Sequence, residues 1–273
     1  MIFLFCSCIP ERHGYLLSPL NASSNAYRVI PMKMDSLKSS IHVSGILSAG
    51  SANERGADHV TMFQGSLHRS NNFGIFQAYY GANISLGSYY IEDYYNFYHN
   101  YNGGSNYPYI RDSSNHIPGT HKFFGSYGIS GGINIVATHQ HIRKYRHSEW
   151  RVLGLETSLQ REFGSYSDMR SKLPDTAANI IFRKQFFAYL GLYSEWIWTN
   201  RDQIEFGFKL AAGMDLNPGS NYSNYYAQSI LPLYSFSVAF HVKKDRYTGF
   251  IQTNFGTYAD NIQFGLSYRL GKK

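Results

Sequence analysis

The sequence predicts an all-β fold, a transmembrane antiparallel up-and-down β-barrel of about ten strands. Three observations carry this. From Ser40 to Leu270 apolar side chains recur at every second position in one segment after another, the period of a strand with one apolar and one polar face. No run reaches the roughly 18 consecutive apolar residues of a spanning helix. The chain is also under-charged and over-aromatic: 16% of its 273 residues are charged and 17% aromatic, with 24 Tyr and 19 Phe. Soluble domains carry about 25% charged residues. A barrel accounts for both features, because only alternate strand residues face lipid.

Residues 1–8 read M-I-F-L-F-C-S-C. An apolar run ending in a small residue and a cysteine resembles the end of a bacterial lipoprotein signal, with Ser7 before an acylated Cys8. The run is short and no basic residue precedes it, so a disordered terminus is the other reading. Cys6 and Cys8 are the only cysteines, too close in sequence for a disulfide framework. Residues 9–39 contain Pro, Ser and Asn without a sustained period. They read as a leader, extended or loosely packed, with a helical turn near Met34–Ser39.

The barrel is expected over residues 40–271. Ile41, Val43, Gly45, Leu47 and Ala49 share one face of the first strand. After a turn at Asn53–Gly56, a second strand from about Val60 to His68 groups Phe63, Gly65 and Leu67, and Arg69–Asn72 reads as a tight turn. The third strand alternates from Phe76 to Gly87 and runs into a Tyr- and Asn-rich segment, Tyr89 to Thr120. The fourth carries Ile129, Ile133 and Ile135 and leads into a basic turn, His139–Ser148. Leu153, Leu155 and Leu159 mark the fifth, with a polar loop after it from about Ser165 to Ala177. The sixth runs from Ala188 to Glu195 and closes on Trp196 and Trp198. A short turn at Asn200–Asp202 leads to the seventh, with Ile204, Phe206, Phe208 and Leu210 on one face. A loop at Asn217–Ser229 precedes the eighth, with Tyr234, Phe236, Val238, Phe240 and Val242. Lys243–Arg246 is a tight turn, the ninth strand covers about Tyr247–Phe255, and Thr257–Asp260 turns into the tenth.

The tenth strand reads N-I-Q-F-G-L-S-Y-R-L over Asn261–Leu270 and alternates without a break. Gly265, Tyr268 and Leu270 match a glycine, two free positions, a hydrophobe, one free position and a final hydrophobe. This resembles the C-terminal assembly signal of bacterial outer-membrane β-barrels. The resemblance implies outer-membrane lipid and the barrel-assembly machinery as partners, and both ends of the barrel, with residues 9–39, on the periplasmic side. Connection lengths agree with that orientation. The three long connections all fall on the opposite, extracellular side, near Tyr101, Lys172 and Asn221, and the turns near Asn71, Arg201 and Lys244 are short, as in outer-membrane barrels. Leu153, Leu155, Leu190, Leu192, Phe206 and Phe208 are expected to face lipid, with Trp150, Trp196 and Trp198 in an aromatic girdle near the periplasmic ends. A soluble sandwich also alternates and remains the competing fold.

The polar phase collects Glu156, Glu195, Glu205, Lys209 and Arg269. In a barrel this narrow, side chains fill most of the lumen, so these read as an ion-pair network that pins strand register, or else as a charged gate in a solute path. His139, His141 and His147 share a turn with Arg143, Lys144 and Arg146, whose charge would repel a metal, and no metal site or cofactor is expected. The net charge of +7 is scattered, which argues against nucleic acid as a partner. At the outer rim stand Glu92, Asp93, His99, His116 and His121, but no spacing singles out a catalytic set, so none is assigned and the protein is expected to be non-enzymatic. The most distinctive segment is Y-Y-I-E-D-Y-Y-N-F-Y-H-N-Y-N-G-G-S-N-Y-P-Y. Its Tyr89, Tyr90, Tyr94, Tyr95, Tyr98, Tyr101, Tyr107 and Tyr109 offer flat amphipathic contact area, and the interleaved Asn, Ser and Gly adapt their hydrogen bonds. These residues are the expected contacts for a protein or glycan at the cell surface. They also read as a simple extension of the strands above the membrane. A narrow solute channel and a membrane-embedded surface hydrolase are the alternative functions. A continuous lumen would mark the first, and a carboxylate–His cluster at the rim the second.

Overall fold

The structure is a computed structural model that describes residues 16–17, 26–32, 38–52, 58–95, 116–141, 146–174, 180–200, 202–216, 221–222, 234–256 and 259–271. Ten strands form the wall: β1 (Ser39–Ala52), β2 (Asp58–Phe73), β3 (Phe76–Ile91), β4 (Thr120–His141), β5 (Arg146–Phe163), β6 (Phe186–Thr199), β7 (Glu205–Asp215), β8 (Tyr234–Lys244), β9 (Tyr247–Gly256) and β10 (Ala259–Leu270). Each pairs antiparallel with the next, and β10 closes on β1 from Leu270↔Ile41 to Ala259↔Ala52. Closure leaves no edge strand, which is what a sheet surrounded by hydrocarbon requires.

The wall is inverted relative to a soluble protein. Leu47, Phe63, Ile84, Ile129, Leu192, Phe240 and Phe264 point outward and are more than half exposed, while Gln64, Gln77, Asn134, Glu149, Arg151 and Gln263 point inward and are sealed from solvent. Soluble monomers rarely expose apolar patches beyond a few hundred Å². An apolar band around the whole circumference belongs in lipid, and this separates a membrane barrel from the sandwich that alternation alone allows. Trp150, Trp196, Phe208 and Phe240 line up across β5 to β8, with ring centroids 5.9, 6.0 and 4.8 Å apart in succession. Trp198 stacks on Phe206 and Tyr247 packs on Tyr268 at the same end. This is the aromatic girdle of the turn end.

Several boundaries differ from the sequence reading. Arg69–Asn72 is not a turn: β2 continues to Phe73, and the chain reverses at Gly74 and Ile75, where Gly74 has φ +63°. Lys243 is likewise in a strand, because the eighth strand runs to Lys244 and the reversal falls on Asp245 and Arg246. Ser165–Ala177 is not wholly a loop, since Ser165–Lys172 forms a helix, α1. The helical turn near Met34–Ser39 falls largely outside the described residues, and Ser39 itself opens β1.

One irregularity decides what enters the lumen. Register slips between Ile135 and Val136 on one side of β5 and between Tyr193 and Glu195 on the other. Val152 and Leu153, adjacent in sequence, both face outward. This β-bulge reverses the inside–outside phase of β5 toward its start, so Arg151 and Glu149 point inward rather than to lipid.

Glycines make room for inward rings. A Cβ on Gly265 would lie 2.0 Å from Phe250 Cζ, and one on Gly207 would lie 1.9 Å from His241 Cε1. The glycine of the C-terminal signal thus seats Phe250, which together with His241 forms one wall of the lumen site.

Candidate functional site

The lumen is occupied by the chain's own leader. The sequence reading places residues 9–39 ahead of the barrel on the periplasmic side. In the structure residues 26–32 have no regular secondary structure and lie inside it, with Tyr27, Val29 and Met32 almost completely buried. Ala26, Tyr27 and Val29 pack with the inward Ile46, Ala239 and Phe250.

A segment outside any helix or sheet must satisfy its buried carbonyls otherwise, and side chains of the wall do so. His68 Nε2 lies 2.8 Å from Val29 O. Arg151 Nη2 donates to Ile30 O at 2.6 Å and to Pro31 O at 3.3 Å. Gln77 Nε2 donates to Pro31 O at 3.0 Å. The Tyr27 hydroxyl donates to Glu195 Oε1 at 2.7 Å and lies 2.8 Å from His241 Nδ1. Its ring packs against those of His241 and Phe250 at 5.0 and 5.1 Å. Arg28 is buried as well, with Nη1 turned back to the carbonyls of Ala26 and Tyr27.

Arg151 is the hub. A guanidinium carries five donors in a fixed fork, and this one uses all three of its nitrogens. Nη2 holds the leader, Nη1 pairs with Glu195, and Nε meets Gln77 Oε1 at 2.9 Å and Glu149 Oε1 at 3.2 Å. Two further ion pairs lie beside it. Lys209 Nζ donates to Glu156 Oε2 at 2.6 Å and sits 4.1 Å above the Tyr193 ring, and Lys243 pairs with Glu205. The structure therefore joins Glu156 to Lys209 and brings Glu195 and Glu205 to new partners, Arg151 and Lys243. Arg269 lies apart, half-buried and across from His42 in the β10–β1 register.

The opposite end of the lumen is capped. The chain leaves β5 through Gly164, at φ +107°, and α1 folds over the opening with Tyr166, Ser167 and Arg170 buried. Tyr166 stacks on Tyr89 at 4.3 Å, and Arg170 pairs with Glu162 from the wall. Val60, Met62, Ile91, Ile117, Phe124 and Ile181 complete this apolar cluster. Above it Ile180–Ile181 pairs with Leu16–Leu17 on one side and with Asn221–Tyr222 on the other.

Tyr89 is consequently not a surface contact. It is fully buried, and its hydroxyl donates to Asp58 Oδ2 at 2.7 Å. Strand β3 extends past Gly87 to Ile91, so the period that points Asn83 and Ser85 inward points Tyr89 inward too. Tyr90 faces out between His59 and His121, 6.3 and 4.8 Å away. Tyr94–Tyr95 pairs with His116–Ile117. Tyr98, Tyr101, Tyr107, Tyr109, His99 and Cys8 lie outside the described residues. At the rim Glu92 and Asp93 are exposed, with the Glu92 N–H donating to Asp58 Oδ1 and Asp93 Oδ1 accepting from the Gly119 N–H. Sequence reasoning missed Arg151 and the leader. The break in alternation at Val152–Leu153 was the signal for the first; for the second, a lumen-bound segment has no lipid face and hence no period.

No protein-family model matches the chain, and no curated protein does. Solved structures similar to it include the transport unit of the autotransporter AIDA-I from Escherichia coli, at 9% identity and a TM-score of 0.46, covering 91% of this chain and 95% of that one. The translocator domain of the autotransporter NalP from Neisseria meningitidis is similar at 8% identity and a TM-score of 0.36, covering 87% and 90%. Ail of Yersinia pestis, in complex with a heparin analogue, is similar at 10% identity and a TM-score of 0.25, covering 85% and 97%.

Proposed function

We propose that this protein is a bacterial outer-membrane barrel that is closed to solutes, has no enzymatic role, and presents its long connections at the cell surface to a protein or glycan partner. Lipid surrounds it and the barrel-assembly machinery inserts it. The observation that carries the closed reading is the filling of the lumen by residues 26–32, tied to His68, Gln77, Arg151 and Glu195 from four strands. Helix α1 covers the other end. A ten-stranded barrel is little wider than the eight-stranded kind that side chains alone fill, so an added peptide segment leaves no wide path.

Support for surface presentation is the asymmetry of the two ends. The connections after β2, β4, β6 and β8 are short, whereas those after β3, β5 and β7 span 92–119, 164–185 and 216–233. Long connections are costly unless used or tied down. The connection after β5 is tied down by α1. That after β3 holds the Tyr-rich stretch and is the expected working surface, now without Tyr89.

Two measurements test this reading. Purified protein in planar bilayers is expected to give no large stable conductance, and deletion of residues 26–32 is expected to open one. Large steps from the intact chain would refute the closed barrel. Deletion of residues 96–105 should leave the barrel assembled, because the flanking pairing from Phe76↔Ile135 to Ile91↔Thr120 does not involve them, and should abolish retention of the intact cells on glycan or protein arrays. Unchanged retention would remove the loop from the function.

A further inference from the structure

The outward face of β8, β9, β10, β1 and β2 changes character where these strands reach the short turns. Val242, Gly249, Leu266, Gly45 and Gly65 form one uncharged row across all five. The next outward row toward the turns runs Lys244, Tyr247, Tyr268, Val43 and Leu67. Lys244 and Tyr247 are exposed, and the Tyr247 and Tyr268 rings pack with centroids 5.0 Å apart. Arg246, in the reversal between β8 and β9, donates from Nη1 to Tyr268 Oη at 3.4 Å, and its carbonyl accepts the Arg269 N–H at 2.9 Å. Beyond that row Arg69 stands exposed between Ile41 and Tyr80, with Nε donating to Ser39 Oγ at 2.9 Å. Lys38, just ahead of β1, is exposed as well. Asp245 is the one carboxylate on the outer side of this corner among the described residues. At the far end of the same strands the sign changes: Asp260 of β10 is outward there, in a row with Ser51 and His59.

We propose that this corner is a headgroup site for an anionic phospholipid of the leaflet that surrounds the turn end. Arg246 and Lys244 take the phosphate, Tyr247 and Tyr268 flank it, and the acyl chains lie against the uncharged row of β8, β9 and β10. This rests on the membrane placement of the wall, and not on which end faces the cell surface. Cations on the outside of a barrel are costly in hydrocarbon, so their long side chains extend to the level where headgroups begin. Phosphate is the anion that meets them there. A guanidinium fork matches two phosphate oxygens. Arg246 has five donors, and its one side-chain bond among the described residues goes to Tyr268. That bond holds the fork at the edge of the wall. Tyrosine suits the same level, with its ring in the apolar layer and its hydroxyl among headgroups. Lys38, Arg69, Lys244 and Arg246 outweigh Asp245, and this excess of cations favours a headgroup with net negative charge over a zwitterionic one. Tyr268 thus serves two ends: it stands in the C-terminal motif, and it orients the phosphate-binding arginine.

The test uses the full chain, folded and purified in detergent, with phosphatidylglycerol and phosphatidylcholine of matched acyl chains as probes. Native mass spectrometry reads how much of each lipid stays bound, and heat-modifiable mobility on gels confirms that every variant is folded. The unaltered chain is expected to retain phosphatidylglycerol in preference, and raised salt to weaken that preference. One Lys or Arg beside an anionic lipid surface contributes about a fivefold change in binding. R246Q and K244Q should therefore each lower phosphatidylglycerol retention about fivefold and leave phosphatidylcholine unchanged. Y268F keeps the ring, removes the hydroxyl that holds Arg246, and should give a smaller loss in the same direction. K184Q removes an exposed cation from the connection after β5, at the other end, and should change neither lipid. Equal retention of the two lipids by the unaltered chain, or equal losses in R246Q and K184Q, would overturn the site while the folded barrel stands. A chain that gains no heat-modifiable form in vesicles of phosphatidylcholine, with or without phosphatidylglycerol, would overturn the membrane placement, and the site falls with it.

Discussion

Replacing Arg151 by methionine is expected to destabilise the barrel by about 3–5 kcal/mol, the loss that follows when one partner of a buried ion pair is removed and the other remains. The reason is local and complete. Glu195 and Glu149 lose their shared cation, Gln77 loses a donor to its Oε1, and the carbonyls of Ile30 and Pro31 lose the group that reaches 2.6 Å and 3.3 Å from them. Pro31 O and Glu149 keep Gln77 Nε2, and Glu195 keeps Tyr27 and His241, but the fixed positive charge they share is gone. The measurement is the denaturant midpoint of refolded protein in detergent or bilayer. Lys184→Met, at an exposed position in the connection after β5, is the control and should move the midpoint little. Pairing Arg151→Met with Glu195→Gln should recover part of the loss, since the uncompensated carboxylate is then gone. The single variant should also loosen the leader, so residues 26–32 become open to protease from the end of the short turns. A wild-type midpoint and an intact leader in Arg151→Met would show that the hub is not what holds the plug.

Leu192→Arg is expected to cost about 2–4 kcal/mol, the magnitude for a cation at the bilayer midplane on the lipid face of a barrel. Leu192 lies in the middle of β6, points outward and is 52% exposed. Phe76→Arg, outward at the start of β3 beside the turn, places the same charge near the interface, where the cost falls to about 0–1 kcal/mol. The contrast between the two, read as the fraction of assembled heat-modifiable protein, separates depth in a membrane from mere loss of an apolar contact. Equal behaviour of the two variants would argue against a lipid-facing wall.

The wall was legible because lipid imposes a local rule. Leu153, Leu155, Leu192 and Phe264 each sit two residues from another outward apolar residue, so the period shows in any short window. Connection lengths exposed the asymmetry of the ends for the same reason, being counted directly along the chain. The sequence by itself therefore determined the all-β class, the number of strands, the face that each presents apart from the start of β5, the girdle residues Trp196 and Trp198, and the inward phase of Glu156, Glu195, Glu205 and Lys209.

What fills the barrel is a relation between residues far apart in sequence, and only the tertiary structure decided it. Arg151 stands in a phase that strict alternation assigns to lipid; the bulge at Val152 becomes certain only when β5 is aligned with both β4 and β6. Tyr89 belongs to a run of tyrosines that reads as one surface, yet the length of β3 and the arrival of Tyr166 on α1 bury it. The leader carries no period at all, because its partners are the inward ends of side chains from β2, β3, β5, β6 and β8 rather than a neighbouring strand. A short window sees the solvent that each residue faces; it cannot see which distant segment comes to occupy the enclosed volume, since that depends on closure of the wall.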